Sequence, residues 1–116
     1  MSKAKISDVR QGVTLYYVHA FPHKEISGHI TQIFVTERPY HNGTGIFSSG
    51  MFKCHDSTET YICPFSLRDA GIIPNKSNFH KTFTSRKSAE RYLARMNRVC
   101  LTAAERVKYM RKILDW

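Results

Sequence analysis

Ser85 to Arg98, SRKSAERYLARMNR, is the stretch whose reading decides how this chain folds. Its apolar positions Ala89, Tyr92, Leu93 and Met96, continued by Cys100, recur at intervals of three and four, which lines them along one side of a helix. Lys87, Arg91, Arg95 and Arg98 fall within about 80° of one another on nearly the opposite side, at about 100° per residue. The segment therefore reads as an amphipathic helix, with an apolar stripe for a core and a basic stripe for solvent. Arg86 adds to the charge at its start, and Glu90 is its one acid.

Downstream, Thr102 and Glu105 form a capping box that opens a second helix. This helix turns Ala103, Val107, Met110 and Leu114 inward. Tyr109, Ile113 and Trp116 widen the apolar arc, and Lys108, Arg111 and Lys112 take the remaining face.

Upstream the pattern changes to strands. Val13 to Phe21 (VTLYYVHAF) and His29 to Glu37 (HITQIFVTE) are rich in β-branched and aromatic residues without helical spacing, and the polar connection Pro22 to Gly28 suits an antiparallel pair. Arg38 to Gly50 (RPYHNGTGIFSSG) reads as a mobile loop, because Pro39 ends a ladder and Gly43, Gly45 and Gly50 favour turns. Met51 to His55 and Glu59 to Phe65 read as a second hairpin, with Pro64 at an edge or an end, and Phe79 to Phe83 as a possible fifth strand. Ser66 with Asp69 caps a turn that Gly71 terminates. The expected architecture is α+β, one domain over residues 1–116, with an antiparallel sheet of about four to five strands followed by two C-terminal amphipathic helices packed on one face.

Length and composition agree with a globular domain. At 116 residues and 41% apolar content, one core suffices, and no run approaches the roughly 20 apolar residues of a membrane helix. The first residues lack the apolar core of a signal peptide, so a cytoplasmic protein is expected. Cys54, Cys63 and Cys100 are three and widely spaced, which suits free thiols. The net charge of +9 is uneven: residues 1–78 carry 8 Lys/Arg against 6 Asp/Glu, and residues 79–116 carry 10 against 3. A localised positive field attracts polyanions or an acidic protein face, although Lys and Arg also serve simply as solvated helix formers.

Few other constellations carry chemistry. Cys54, His55 and Cys63 are the nearest approach to a metal cluster, but a structural zinc needs two more ligands and the hairpin register must bring the thiols together. No Gly-rich phosphate loop with Lys-Ser/Thr, no G-x-S-x-G elbow and no H-E-x-x-H helix is present. Tyr16, Tyr17, Tyr40, Phe47 and Phe52 lie on or beside strands, where they serve either as a base-stacking platform or as core. His29-Ile30-Thr31 and His80-Lys81-Thr82 repeat an H-x-T pattern that resembles the signature of the 2H phosphoesterases. That resemblance implies His29 and His80 as general acid and base on a phosphodiester.

Phe65 to Arg98 (FSLRDAGIIPNKSNFHKTFTSRKSAERYLARMNR), and FTSRKSAERYL in particular, resembles the compact strand-then-helix endings of small bacteriophage proteins. The resemblance implies a protein that acts by binding, for instance by blocking a bacterial host or defence factor.

The expectation from the residues themselves is a non-enzymatic binding protein without cofactor or metal. It engages DNA or RNA, or an acidic surface of a host protein, through Arg86, Lys87, Arg91, Arg95, Arg98, Lys108, Arg111 and Lys112.

Overall fold

The computed structural model describes residues 3–20, 28–54, 58–73 and 79–98. Among these, six strands and one α-helix follow a short 3-10 turn at Ile6–Asp8. The strands are β1 (Thr14–His19), β2 (His29–Val35), β3 (Tyr40–Asn42), β4 (Gly45–Cys54), β5 (Thr60–Ser66) and β6 (Lys81–Phe83), and α1 spans Arg86–Arg98. All pairings are antiparallel: β1 lies between β2 and β6, β2 pairs with β4, and β4 also carries β3 and β5. The N-terminal segment extends the sheet beyond β6, where Lys3 bridges Phe83 and the Ala4 amide donates to the Thr82 carbonyl at 2.8 Å.

Strand alternation sorts the side chains onto two faces. On one, Val18, Ala20, Ile30 and Phe83 pack under Ala89, Tyr92 and Met96 of α1. The helix starts where its sequence requires, with the Ser85 hydroxyl accepting from the Ser88 amide at 3.3 Å and the Ser85 carbonyl accepting from the Ala89 amide at 3.1 Å. It is pinned further along by the Tyr92 hydroxyl, which donates to the Phe79 carbonyl at 2.6 Å.

The other face carries Leu15, Tyr17, Ile33, Val35, Phe52 and Phe65, and is covered by Val9, Leu67, Ala70 and Ile72. The segment 67–73 leaves β5 through the turn that Ser66 caps, its hydroxyl accepting from the Asp69 amide at 3.3 Å, and Gly71 takes a φ of +73°. Two side-chain hydroxyls hold this segment down: the Tyr17 hydroxyl donates to the Asp69 carbonyl at 3.1 Å, and the buried Thr82 hydroxyl donates to the Ala70 carbonyl at 2.7 Å.

Two expectations change, the loop and the strand count. Arg38 to Gly50 is not a loop: Tyr40 pairs with Phe47 and Asn42 with Gly45, so β3 and the start of β4 form a tight hairpin whose turn uses Gly43 at φ +63°. Of the glycines that suggested a loop, Gly43 supplies the turn while Gly45 and Gly50 lie within β4, and this raises the strand count above five. Pro64 does sit on an outer strand, since β5 pairs only with β4 among the described residues. The second C-terminal helix and Cys100 lie outside the described residues, and so do His55 and most of the connection at residues 22–28.

Candidate functional site

The basic stripe of α1 faces solvent. Arg86, Lys87, Arg91 and Arg95 are all exposed, and Arg98 ends the helix. Of Arg86, Lys87, Arg91 and Arg95, only Arg86 has a carboxylate at ion-pair range in the described residues, Glu90 at 3.9 Å, and this pair is too long and too solvated to neutralise it. Arg86 also lies over the Tyr16 ring at 5.8 Å, and Arg95 over the Tyr92 ring at 5.4 Å, so both guanidinium groups are steered by aromatic faces.

Two lysines that the helix pattern could not reveal join the stripe. Lys81 is on β6, on the same face as Phe83 and hence under the flank of α1, and Lys3 runs alongside β6. The Lys81 ammonium is half-buried and its pKa is lowered, first by that burial and then by the neighbouring charges of Lys3 and Arg95. Three cations from three separate segments thus crowd one spot. Strand parity around Phe83 was the available signal for Lys81; Lys3 had none, because its place depends on a bridge to the sheet edge. Lys108, Arg111 and Lys112 lie outside the described residues.

A second constellation occupies the opposite face, at the end of β1. His19 on β1 pairs in register with His29 on β2, their rings stacked at 4.3 Å, while Tyr17 stacks on His19 at 4.0 Å and His80 meets it edge-on at 5.6 Å. His19 Nε2 and the Thr31 hydroxyl share a hydrogen bond of 3.1 Å. The Ala20 amide donates to His80 Nδ1 at 3.1 Å, which places the proton of a neutral His80 on Nε2. Burial, aided by His29 and His80, pushes the His19 pKa down to about 4, and burial followed by His29 lowers that of His80 against opposing pulls from Asp69 and the Val18 carbonyl.

The two H-x-T motifs therefore do converge on one face, yet not as a phosphodiester site. The ring of His19 fills the space between His29 and His80, where a phosphoryl group would have to sit. The threonines are only 2% and 0% exposed, with Thr31 engaged by His19 and Thr82 by Ala70. The stacked imidazoles and buried hydroxyls are a packed polar cluster within the sheet.

The remaining candidates do not assemble. Gly50 pairs with Cys63, whereas Cys54 pairs with Thr31, so the two cysteines stand four residues apart along β4, roughly 13 Å. Among the described residues no group of three or more His, Cys, Asp or Glu is placed to hold a metal ion. Tyr17 and Phe52 are core residues, and Tyr40 and Phe47 stack on each other at 6.4 Å. No helix among the described residues is long and apolar enough to cross a membrane.

Neither the curated proteins nor the solved structures contain a match to this chain. A family model does match, over residues 3–96, which takes in the whole described sheet and nearly all of α1 together with most of the stretch that resembles bacteriophage proteins. The chain belongs to the family of phage g100-like proteins.

Proposed function

We propose that this protein is a non-enzymatic binder of nucleic acid, gripping the phosphate backbone with Lys87, Arg91, Arg95 and Arg98 of α1 and with Lys3 and Lys81 at the adjoining sheet edge. The crowding of Lys3, Lys81 and Arg95 carries this reading. Burial, with Lys3 and Arg95 nearby, disfavours the Lys81 charge, and a bound phosphate would favour it. Arg86 and, from the sequence, Lys108, Arg111 and Lys112 extend the surface.

A backbone contact of this kind releases counterions, so affinity falls steeply with salt. Fluorescence anisotropy with labelled single-stranded and duplex DNA and RNA tests it. Between about 50 and about 200 mM salt the affinity for duplex should fall roughly 1,000-fold, as six phosphate contacts require, and Arg91→Glu with Arg95→Glu should remove binding at both. Binding indifferent to both salt and charge reversal overturns the proposal. A host protein with an acidic face would compete for the same surface; a stoichiometric protein partner that survives nuclease treatment, with no affinity for nucleic acid, favours that inhibitor role instead.

A further inference from the structure

Lys3, Lys81 and Arg95 reach one spot from three segments, and the pairing of the sheet fixes how each arrives. Lys3 bridges Phe83, so the two side chains lie on the same side, the one on which α1 packs. Lys81 stands two residues before Phe83 and in register with Val18, which puts it on that side too. Side chains offset in this way across paired strands start about 7–8 Å apart, well within the reach of two lysines. Arg95 comes down from the helix: the Tyr92 ring packs on that of Phe83 at 5.5 Å, and the Arg95 guanidinium lies over the Tyr92 ring at 5.4 Å.

The spot has donors and no acceptor for them. The ammonium groups of Lys3 and Lys81 face each other at hydrogen-bonding range, and neither can accept from the other. A guanidinium cannot accept either. Among the described residues no carboxylate stands at ion-pair range of any of the three. Below them lie the buried rings of Phe83 and Tyr92, which hold water off one side and strengthen any ionic contact made there. An anion completes such an arrangement.

The number of donors selects among anions. A phosphodiester inside a strand carries a single charge and two free oxygens, whereas a terminal phosphate carries about −1.5 to −2 at pH 7 and three acceptor oxygens, one for each cation here. The stripe of α1 leads to the same place. Arg91 and Lys87 lie four and eight residues before Arg95, about 6 and about 12 Å along the helix axis, so a strand whose backbone follows them brings its end to Arg95.

We infer that Lys3, Lys81 and Arg95 form a site for the terminal phosphate of a nucleic-acid strand, so that the protein holds strand ends in preference to strand interiors. This rests on the nucleic-acid reading and narrows it.

Fluorescence anisotropy tests it with one short single-stranded oligonucleotide, labelled at an internal base and made in three forms: hydroxyl at both ends, 5′-phosphate, and 3′-phosphate. One phosphorylated form is expected to bind about tenfold or more tighter than the hydroxyl form, and which one does so identifies the end. Lys81→Met removes the charge and keeps the buried stem, and it should bring the three affinities together. Lys3→Gln, in a separate segment, should do the same. Lys87→Gln, two turns away, should weaken all three and keep their ratio. Three equal affinities in the unchanged protein would overturn the inference and leave the backbone reading standing, whereas no binding of any form at about 50 mM salt would overturn both. A ratio that survives Lys81→Met and Lys3→Gln would place end recognition elsewhere, and so also overturn it. A short phosphoserine peptide that binds as tightly as the phosphorylated strand would assign the site to a protein partner instead.

Discussion

The α-carbon of Gly71 lies so near the carbonyl oxygen of His80 that any side chain at position 71 would collide with the backbone of the strand it crosses. The glycine also holds φ at +73°, a conformation in which L side chains are strained. Gly71→Ala should therefore cost both terms, roughly 3 kcal/mol or more, as a fall in thermal midpoint or denaturant midpoint. Gly12 is the matched control, since its φ of +91° is strained for alanine but nothing lies within 4 Å of the new Cβ. Gly12→Ala should cost only about 1 kcal/mol. Equal losses at the two sites would show that the contact with His80 is not tight.

Acid should weaken the fold through His19. Its ring stays neutral in the folded protein down to about pH 4, while the unfolded chain takes up a proton at the ordinary histidine value of about 6.5. Between those values the unfolded state binds more protons, so stability declines as the pH falls and the loss is complete below the folded value. His80, lowered in the same direction, adds to the slope. Because the His19 ring is only partly buried, the contribution is on the order of 1–2 kcal/mol after discounting for solvent. Urea unfolding at about pH 7.5 and about pH 4.5 reads it. In His19→Gln the amide still serves Thr31 and nothing titrates at this position, so the gap between the two pH values should shrink.

Residues with strong local patterns were legible, and those placed by distant pairing were not. The period of Ala89, Tyr92 and Met96 gave α1 almost to the residue, because one buried stripe forces that spacing. The antiparallel pairing of β1 with β2 followed from composition and a connection of suitable length. The hairpin of β3 with β4 was hidden, since Asn42 and Gly45 belong equally to loops and tight turns until Tyr40 is seen opposite Phe47. His29 and His80 were read as a pair because they share a motif. His19 carries no motif, and only the register sets its ring between them. The basic stripe was visible along the helix, while the contribution of Lys3 needed the sheet edge.

Thr82 ties three segments together, β6, the covering turn at Ala70 and the N-terminal edge at Ala4, and its removal should be felt in proportion. Its hydroxyl donates to the Ala70 carbonyl inside the core, and its backbone carbonyl accepts from Ala4. Thr82→Val keeps the shape and the strand preference but leaves the Ala70 carbonyl without this donor in a dry site. A loss of about 1–3 kcal/mol is expected, with a rise in amide exchange concentrated in residues 67–73. A loss spread evenly over the sheet would place the role of this bond elsewhere.

Glu90 is the one carboxylate on α1, and it separates what stabilises the helix from what binds a partner. Its pairing with Arg86 at 3.9 Å is exposed on both sides, so Glu90→Gln should change the thermal midpoint little, within about 0.5 kcal/mol. The same change removes the one negative charge of α1 and releases Arg86 toward a phosphate. Affinity for nucleic acid should then rise a few-fold at low salt, with a steeper dependence on salt, because more cation is available to displace counterions. Anisotropy titrations of Glu90→Gln beside the unchanged protein measure both quantities. If affinity falls instead, Glu90 contacts the partner directly, which points to a protein surface bearing its own donors and not to a phosphate backbone.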